Sequence, residues 1–206
     1  MNLKYFIFLI LLGGFIGANA NAQDTTTSTP LNRTSSIPNA GGLFISPMIG
    51  FAFPIKALSN NSEKALTLGV KLEFASSKLY PFIIGGFFEH AKYPGQDAFK
   101  SQYFLNSFET KVTSFGGSID IILSKYLKTD FTIPILGLEA KMMNVSRTIL
   151  PDTTNVGLAA SENILAFGGS IGFTIFIFDI NVGYSHAKDF STVYTRLRFH
   201  FPIIKF

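Results

Sequence analysis

The chain has 206 residues, no cysteine, a formal charge of +4 and only 15% charged residues, while 47% of it is apolar and 23 residues are Phe. These numbers exclude disulfides, thiolate metal sites and a lipidated-cysteine anchor, and the mild, scattered positive charge leaves no footprint for nucleic acid. Beyond the leader, no run of 18 apolar residues occurs, so the chain must cover its apolar surface without membrane helices; a closed barrel facing lipid is one way to do so.

Residues 1–22 read as a signal peptide. Lys4 supplies a positive start, Tyr5 to Ile16 an apolar core too short to span a bilayer, and Ala18-Asn19-Ala20 and Ala20-Asn21-Ala22 overlapping small-x-small cleavage sites. Cleavage would remove Lys4 and lower the charge from +4 to +3. Residues 23–42, QDTTTSTPLNRTSSIPNAGG, are too polar to offset the entropy of ordering them, and are expected to form a flexible periplasmic linker or to dock a periplasmic partner.

From residue 43 to 206 the pattern has period two, the signature of strands with one apolar and one polar face. Leu43–Phe53 sets Ile45, Ile49, Phe51 and Phe53 against Ser46, Gly50 and Ala52. Ala65–Ala75 is the clearest, with Leu66, Leu68, Val70, Leu72 and Phe74 opposite Thr67, Gly69, Lys71 and Glu73. Tyr80–His90 follows with Phe82, Ile84 and Phe88 against Gly85 and Glu89, then Val112–Leu123 with Phe115, Ile119 and Ile121 against Ser114, Gly116 and Asp120. Phe131–Met142 opposes Leu136, Leu138 and Ala140 to Gly137, Glu139 and Lys141, and a parity change in its first half predicts a bulge near Pro134. Glu162–Phe173, Phe178–His186 and Val193–Phe201 complete eight segments, the last opposing Leu197 and Phe199 to Arg196, Arg198 and His200. The motif FGGSI recurs at 115–119 and 167–171, an echo expected of a hairpin repeat.

The joins 54–64, 91–111 and 144–161 are long and polar, whereas those near 76–77, 124–129 and 174–176 are short. Long loops at one end and tight turns at the other fit an eight-stranded antiparallel up-and-down transmembrane β-barrel. Eight staves leave room for little more than side chains, so the Phe-rich faces belong outside and the small and charged residues inside. Lys71, Lys141, Arg196 and Arg198 are then expected to pair with Glu73, Glu89, Asp120, Glu139 and Asp179 in a lumenal ion-pair network that plugs the barrel.

These features together, with the glycine pairs Gly85-Gly86, Gly116-Gly117 and Gly168-Gly169 and the closing stretch VYTRLRFHF-PIIKF, resemble the small outer-membrane barrels of the OmpA/OmpX-like kind. The resemblance covers residues 43–206 and implies insertion by the barrel-assembly machinery, which reads an aromatic terminal strand. Pro202 interrupts that strand and leaves two candidate ends, Phe201 and Phe206.

The chemistry is sparse. Three scattered His residues make no metal-ligand spacing, and no cofactor motif is present. Some barrels of this size modify lipid A, and Ser185, His186 and Asp189 form one cluster to test, although alternation points Ser185 inward and His186 outward. In the join 91–111, the aromatics Tyr93, Phe99, Tyr103 and Phe104 are candidate surface contacts or part of an interfacial girdle. The expected protein is a monomeric, non-enzymatic outer-membrane barrel surrounded by lipid, presenting extracellular loops; a narrow channel and a lipid A-modifying enzyme are the alternatives.

Overall fold

A computed structural model describes residues 41–124, 127, 132–151 and 156–205. The expected signal peptide, nearly all of the expected linker and Phe206 lie outside these residues. The chain forms β1 (Gly42–Ile55), β2 (Ala65–Ala75), β3 (Phe82–Pro94), β4 (Ser107–Ile122), β5 (Ile133–Leu150), β6 (Ser161–Ile175), β7 (Phe178–His186), β8 (Ser191–Phe199) and β9 (Phe201–Lys205). A 3-10 turn (Lys56–Asn60) follows β1, and a short helix, α1 (Asp97–Gln102), follows β3. Each strand from β1 to β7 pairs antiparallel with the next, and β1 pairs with β8 and β9 on its other edge, which closes the sheet.

β8 and β9 are two halves of one stave, making a closed barrel of eight. The partners Met48↔Arg198, Ile45↔Phe201 and Phe44↔Pro202 share one register across the gap at His200. The register shifts only between Leu43 and Phe44, where Leu43 faces Ile204 and leaves Ile203 as the extra residue. Pro202 has no N–H to give the ladder, and a bulge beside it absorbs the irregularity. The stave therefore passes Phe201 and runs through Lys205.

The bulge predicted near Pro134 is not there. β5 keeps a continuous register with β4 and β6 from Ile135 and Ile133 onward. The apparent parity change arises because Ile135 faces inward and is buried, so an apolar residue occupies a lumenal position. The Pro134 carbonyl accepts from Leu123 N just past the end of β4, so the donor it lacks falls at the end of the ladder. The long joins also shrink, because strands continue into them: the loops are 56–64, 95–106 and 151–160, and Gly42 belongs to β1 rather than to a linker.

The outer surface carries a belt of exposed Phe, Ile, Leu and Val: Ile49, Phe51, Leu68, Leu72, Ile84, Phe88, Phe115, Leu138, Leu165, Ile171 and Ile180 among others. Leu66 to Phe74 runs about 26 Å along its strand, or about 20 Å of height once tilted by about 40°, comparable to a bilayer's apolar band. On the long-loop side, β3 to β6 overshoot this belt. The outward rung Phe88–Phe115–Met142–Leu165 is followed by His90–Thr113–Asn144–Asn163 and then by Lys92–Lys111–Ser146–Ser161. Among the described residues, no helix is long and apolar enough to cross a membrane.

Candidate functional site

Inward positions gather the ionic residues. All nine named from the sequence lie inside the barrel, in two groups. Nearer the short-turn end, Lys71 Nζ donates to Asp120 Oδ2 at 2.6 Å and stands 3.0 Å from Glu73 Oε1. Arg198 Nη1 reaches Asp120 at 2.8 Å and Glu73 at 3.2 Å, and its Nη2 reaches Asp179 at 2.6 Å. His200 completes this group: Nδ1 lies 2.8 Å from Glu73 and Nε2 lies 2.7 Å from Asp179. A carboxylate only accepts, so both ring nitrogens donate and the ring is an imidazolium. Three cations (Lys71, Arg198, His200) then balance three anions (Glu73, Asp120, Asp179). Ser46 Oγ also donates to Glu73.

The second group sits nearer mid-barrel. Arg196 Nη2 contacts Glu89 at 2.7 Å and its Nη1 contacts Glu139 at 3.1 Å. Lys141 Nζ lies 3.1 Å from Glu139 and 3.9 Å from Glu89. Two cations and two anions again cancel. In sheet order β4 and β8 stand opposite each other, so the Arg198–Asp120 pair crosses the lumen rather than running along its wall. Between the groups is a void of about 10 Å³, lined in part by Lys71, Ser118, Asp120, Glu139 and Arg196, which is about the space of one water.

Toward the long-loop end the interior changes character, which the strand patterns did not anticipate. Ala52, Ala65, Ala91, Tyr93, Val112, Met143, Val145, Ala166 and Tyr194 form an apolar cluster that Leu58, from the 3-10 turn, and Phe190, from the last loop, cover. The Tyr93 and Phe190 rings meet edge to face at 5.6 Å between centroids. Arg196 lies over the Tyr194 ring at 4.2 Å, joining the ionic and apolar parts of the interior.

Gly183 makes that junction possible. It faces Tyr194 across β7 and β8, and a Cβ there would fall 2.3 Å from the phenol ring. Gly183→Val is expected to push the ring off Arg196 and to cost about 1–3 kcal/mol, read as a lower urea midpoint for unfolding.

The aromatics of the third join have separate positions. Tyr93 is 3% exposed and faces the lumen, so it is not a surface contact. Its position on β3, a strand longer than the sequence pattern indicated, turns it inward. Phe99 and Tyr103 are half-buried against a small cluster of Leu105, Phe108 and Val156. Phe104 is 89% exposed and sits at a φ of 52° beyond α1. On α1 itself, Lys100 bonds Asp97 at 2.7 Å and holds its carboxyl below the usual carboxylate range.

No family model and no curated protein matches the chain. Solved structures with a similar fold are small outer-membrane barrels. Neisserial surface protein A is 14% identical with a TM-score of 0.48, covering 79% of this chain and 99% of its own. Ail, the attachment invasion locus protein of Yersinia pestis, is 13% identical with a TM-score of 0.42, covering 79% and 99%. The outer membrane enzyme PagL is 12% identical with a TM-score of 0.45, covering 78% and 99%.

The cluster tested for lipid chemistry is not assembled as a triad. Ser185 is buried and its Oγ has no hydrogen-bond partner among the described residues. His186 turns outward and meets Tyr184 OH at 3.3 Å and Ser191 Oγ at 3.1 Å. Ser191 is fully buried and donates to the Ala187 carbonyl at 3.2 Å.

Proposed function

We propose that this chain is a non-enzymatic outer-membrane protein whose sealed barrel presents its outer loops, serving envelope integrity or surface contact. One observation carries the reading: large apolar side chains are exposed all round the outside, while ionic side chains are buried and paired inside. In water that arrangement would expose far more apolar surface than a soluble monomer tolerates; in lipid both faces are satisfied. Lipid surrounds the belt. Two neutral ionic groups and the Leu58–Phe190 cover close the lumen at successive depths, which speaks against a channel.

The test is fractionation with a heat-modifiability gel and planar-bilayer recording. The protein is expected in the detergent-soluble membrane fraction, to migrate differently before and after boiling, and to give no unitary conductance. Recovery in the soluble wash would sink the membrane reading, and discrete conductance steps would sink the sealed lumen. The lipid A-modifying alternative has His186 against Ser191 in its favour, but a fully buried hydroxyl is a poor nucleophile. Alanine at His186 or Ser191 is expected to leave lipid A profiles unchanged.

A further inference from the structure

We infer that Lys64, Lys92 and Lys111 form an arc on the outer face that binds the phosphate of a membrane lipid headgroup; this rests on the membrane reading above. Lys92 and Lys111 are direct partners across β3 and β4, and both face outward. Lys64 is exposed, two residues before Leu66, which is the β2 partner of Lys92. Side chains that oppose each other on neighbouring strands stand about 5 Å apart at Cβ, and like charges there are destabilising unless an anion intervenes.

Glu109 is the anion present, 2.6 Å from Lys92 Nζ and 3.4 Å from Lys111 Nζ. One carboxylate against two ammonium groups leaves a positive charge unmatched, and Lys64 adds another. Glu63 is exposed nearby but takes the alternate position along the chain. His90 stands one rung toward the belt, bonded to Thr113 Oγ1 at 3.1 Å.

Depth specifies the occupant. On β3 and β4, Lys92 and Lys111 lie two rungs beyond the outward apolar pair Phe88–Phe115, and on β2 the partner of Lys92 is Leu66, the upper end of the apolar belt, so the lysines stand at the belt's edge, where headgroups meet the barrel wall. On β5 and β6 the same outward rungs carry the uncharged Asn144, Asn163, Ser146 and Ser161. Lys100 does not belong to the arc, because it is on α1 and paired with Asp97.

The experiment uses the full barrel in phosphatidylcholine membranes with trace spin-labelled phosphatidic acid or spin-labelled phosphatidylcholine. Wild type is expected to select phosphatidic acid at its surface roughly fivefold or more. Lys92→Gln/Lys111→Gln should bring that selectivity close to one, whereas Lys100→Gln should leave it unchanged. Glu109→Gln should raise it. Equal selectivity in wild type and the double variant would overturn the site, as would displacement by millimolar inorganic phosphate, which would mean a free-anion site. If no motionally restricted lipid of either kind is seen, the membrane reading fails and the inference falls with it; restricted phosphatidylcholine without headgroup preference refutes the arc alone.

Discussion

Replacing Arg198 by Met is expected to destabilise the barrel by about 3–5 kcal/mol, the cost of leaving a buried ionic group unbalanced. Among the described residues, Arg198 is the one side chain that touches Asp120, Glu73 and Asp179 together. Without it, three carboxylates face Lys71 and His200, and one negative charge has no partner in a space that holds about one water. Methionine keeps most of the volume, so the loss reports charge rather than a cavity. Adding Asp179→Asn should restore most of the stability, because Glu73 and Asp120 then balance Lys71 and His200. The readout is the urea midpoint of the folded barrel for wild type, Arg198→Met and the double variant, compared as a mutant cycle. If the double variant is as unstable as the single one, charge balance is not what holds this end of the lumen together.

The balance also explains how much of the interior was legible. Alternation alone placed Lys71, Glu73, Asp120, Asp179 and Arg198 on inward positions, because a strand leaves each residue two directions and lipid forbids one of them to charge. His200 shares the parity of Arg196 and Arg198, and the register runs through it unbroken, so alternation turns it inward as well; what alternation does not give is its reach to both Glu73 and Asp179. The apolar cover was invisible for a different reason. Leu58 and Phe190 sit in loops, where position is set by closure of the barrel rather than by a repeat. In the sequence Tyr93 reads as a loop residue and Val112 as the start of a strand, because β3 and β4 rise past the belt, and there both faces of the sheet lose their lipid-imposed contrast. Ile135 misled in the same manner, since an apolar residue in a lumenal position reads as a parity error. The pattern is therefore strongest where lipid enforces it and fades toward each rim.

Val70→Arg tests that enforcement directly. Val70 is the middle of the five outward residues of β2, flanked by Leu68 and Leu72 and paired with Pro47 and Phe88. An arginine facing lipid near the midplane of such a barrel costs about 2–4 kcal/mol, less toward either surface. Nothing in the β2 ladder changes, because the backbone hydrogen bonds with β1 and β3 do not involve the side chain, so the cost comes from the solvent around the barrel. Thr67→Ser removes one methyl group from a buried inward position and should stay within about 1 kcal/mol. Phe104→Arg places the same new charge on the exposed loop and should be neutral or better for solubility. Folding into phosphatidylcholine vesicles, followed by heat-modifiability and a urea midpoint, should therefore rank Val70→Arg far below the other two. If Val70→Arg folds as well as Phe104→Arg, the outer face does not meet acyl chains, and the arrangement of greasy exterior and ionic interior needs a different environment to explain it.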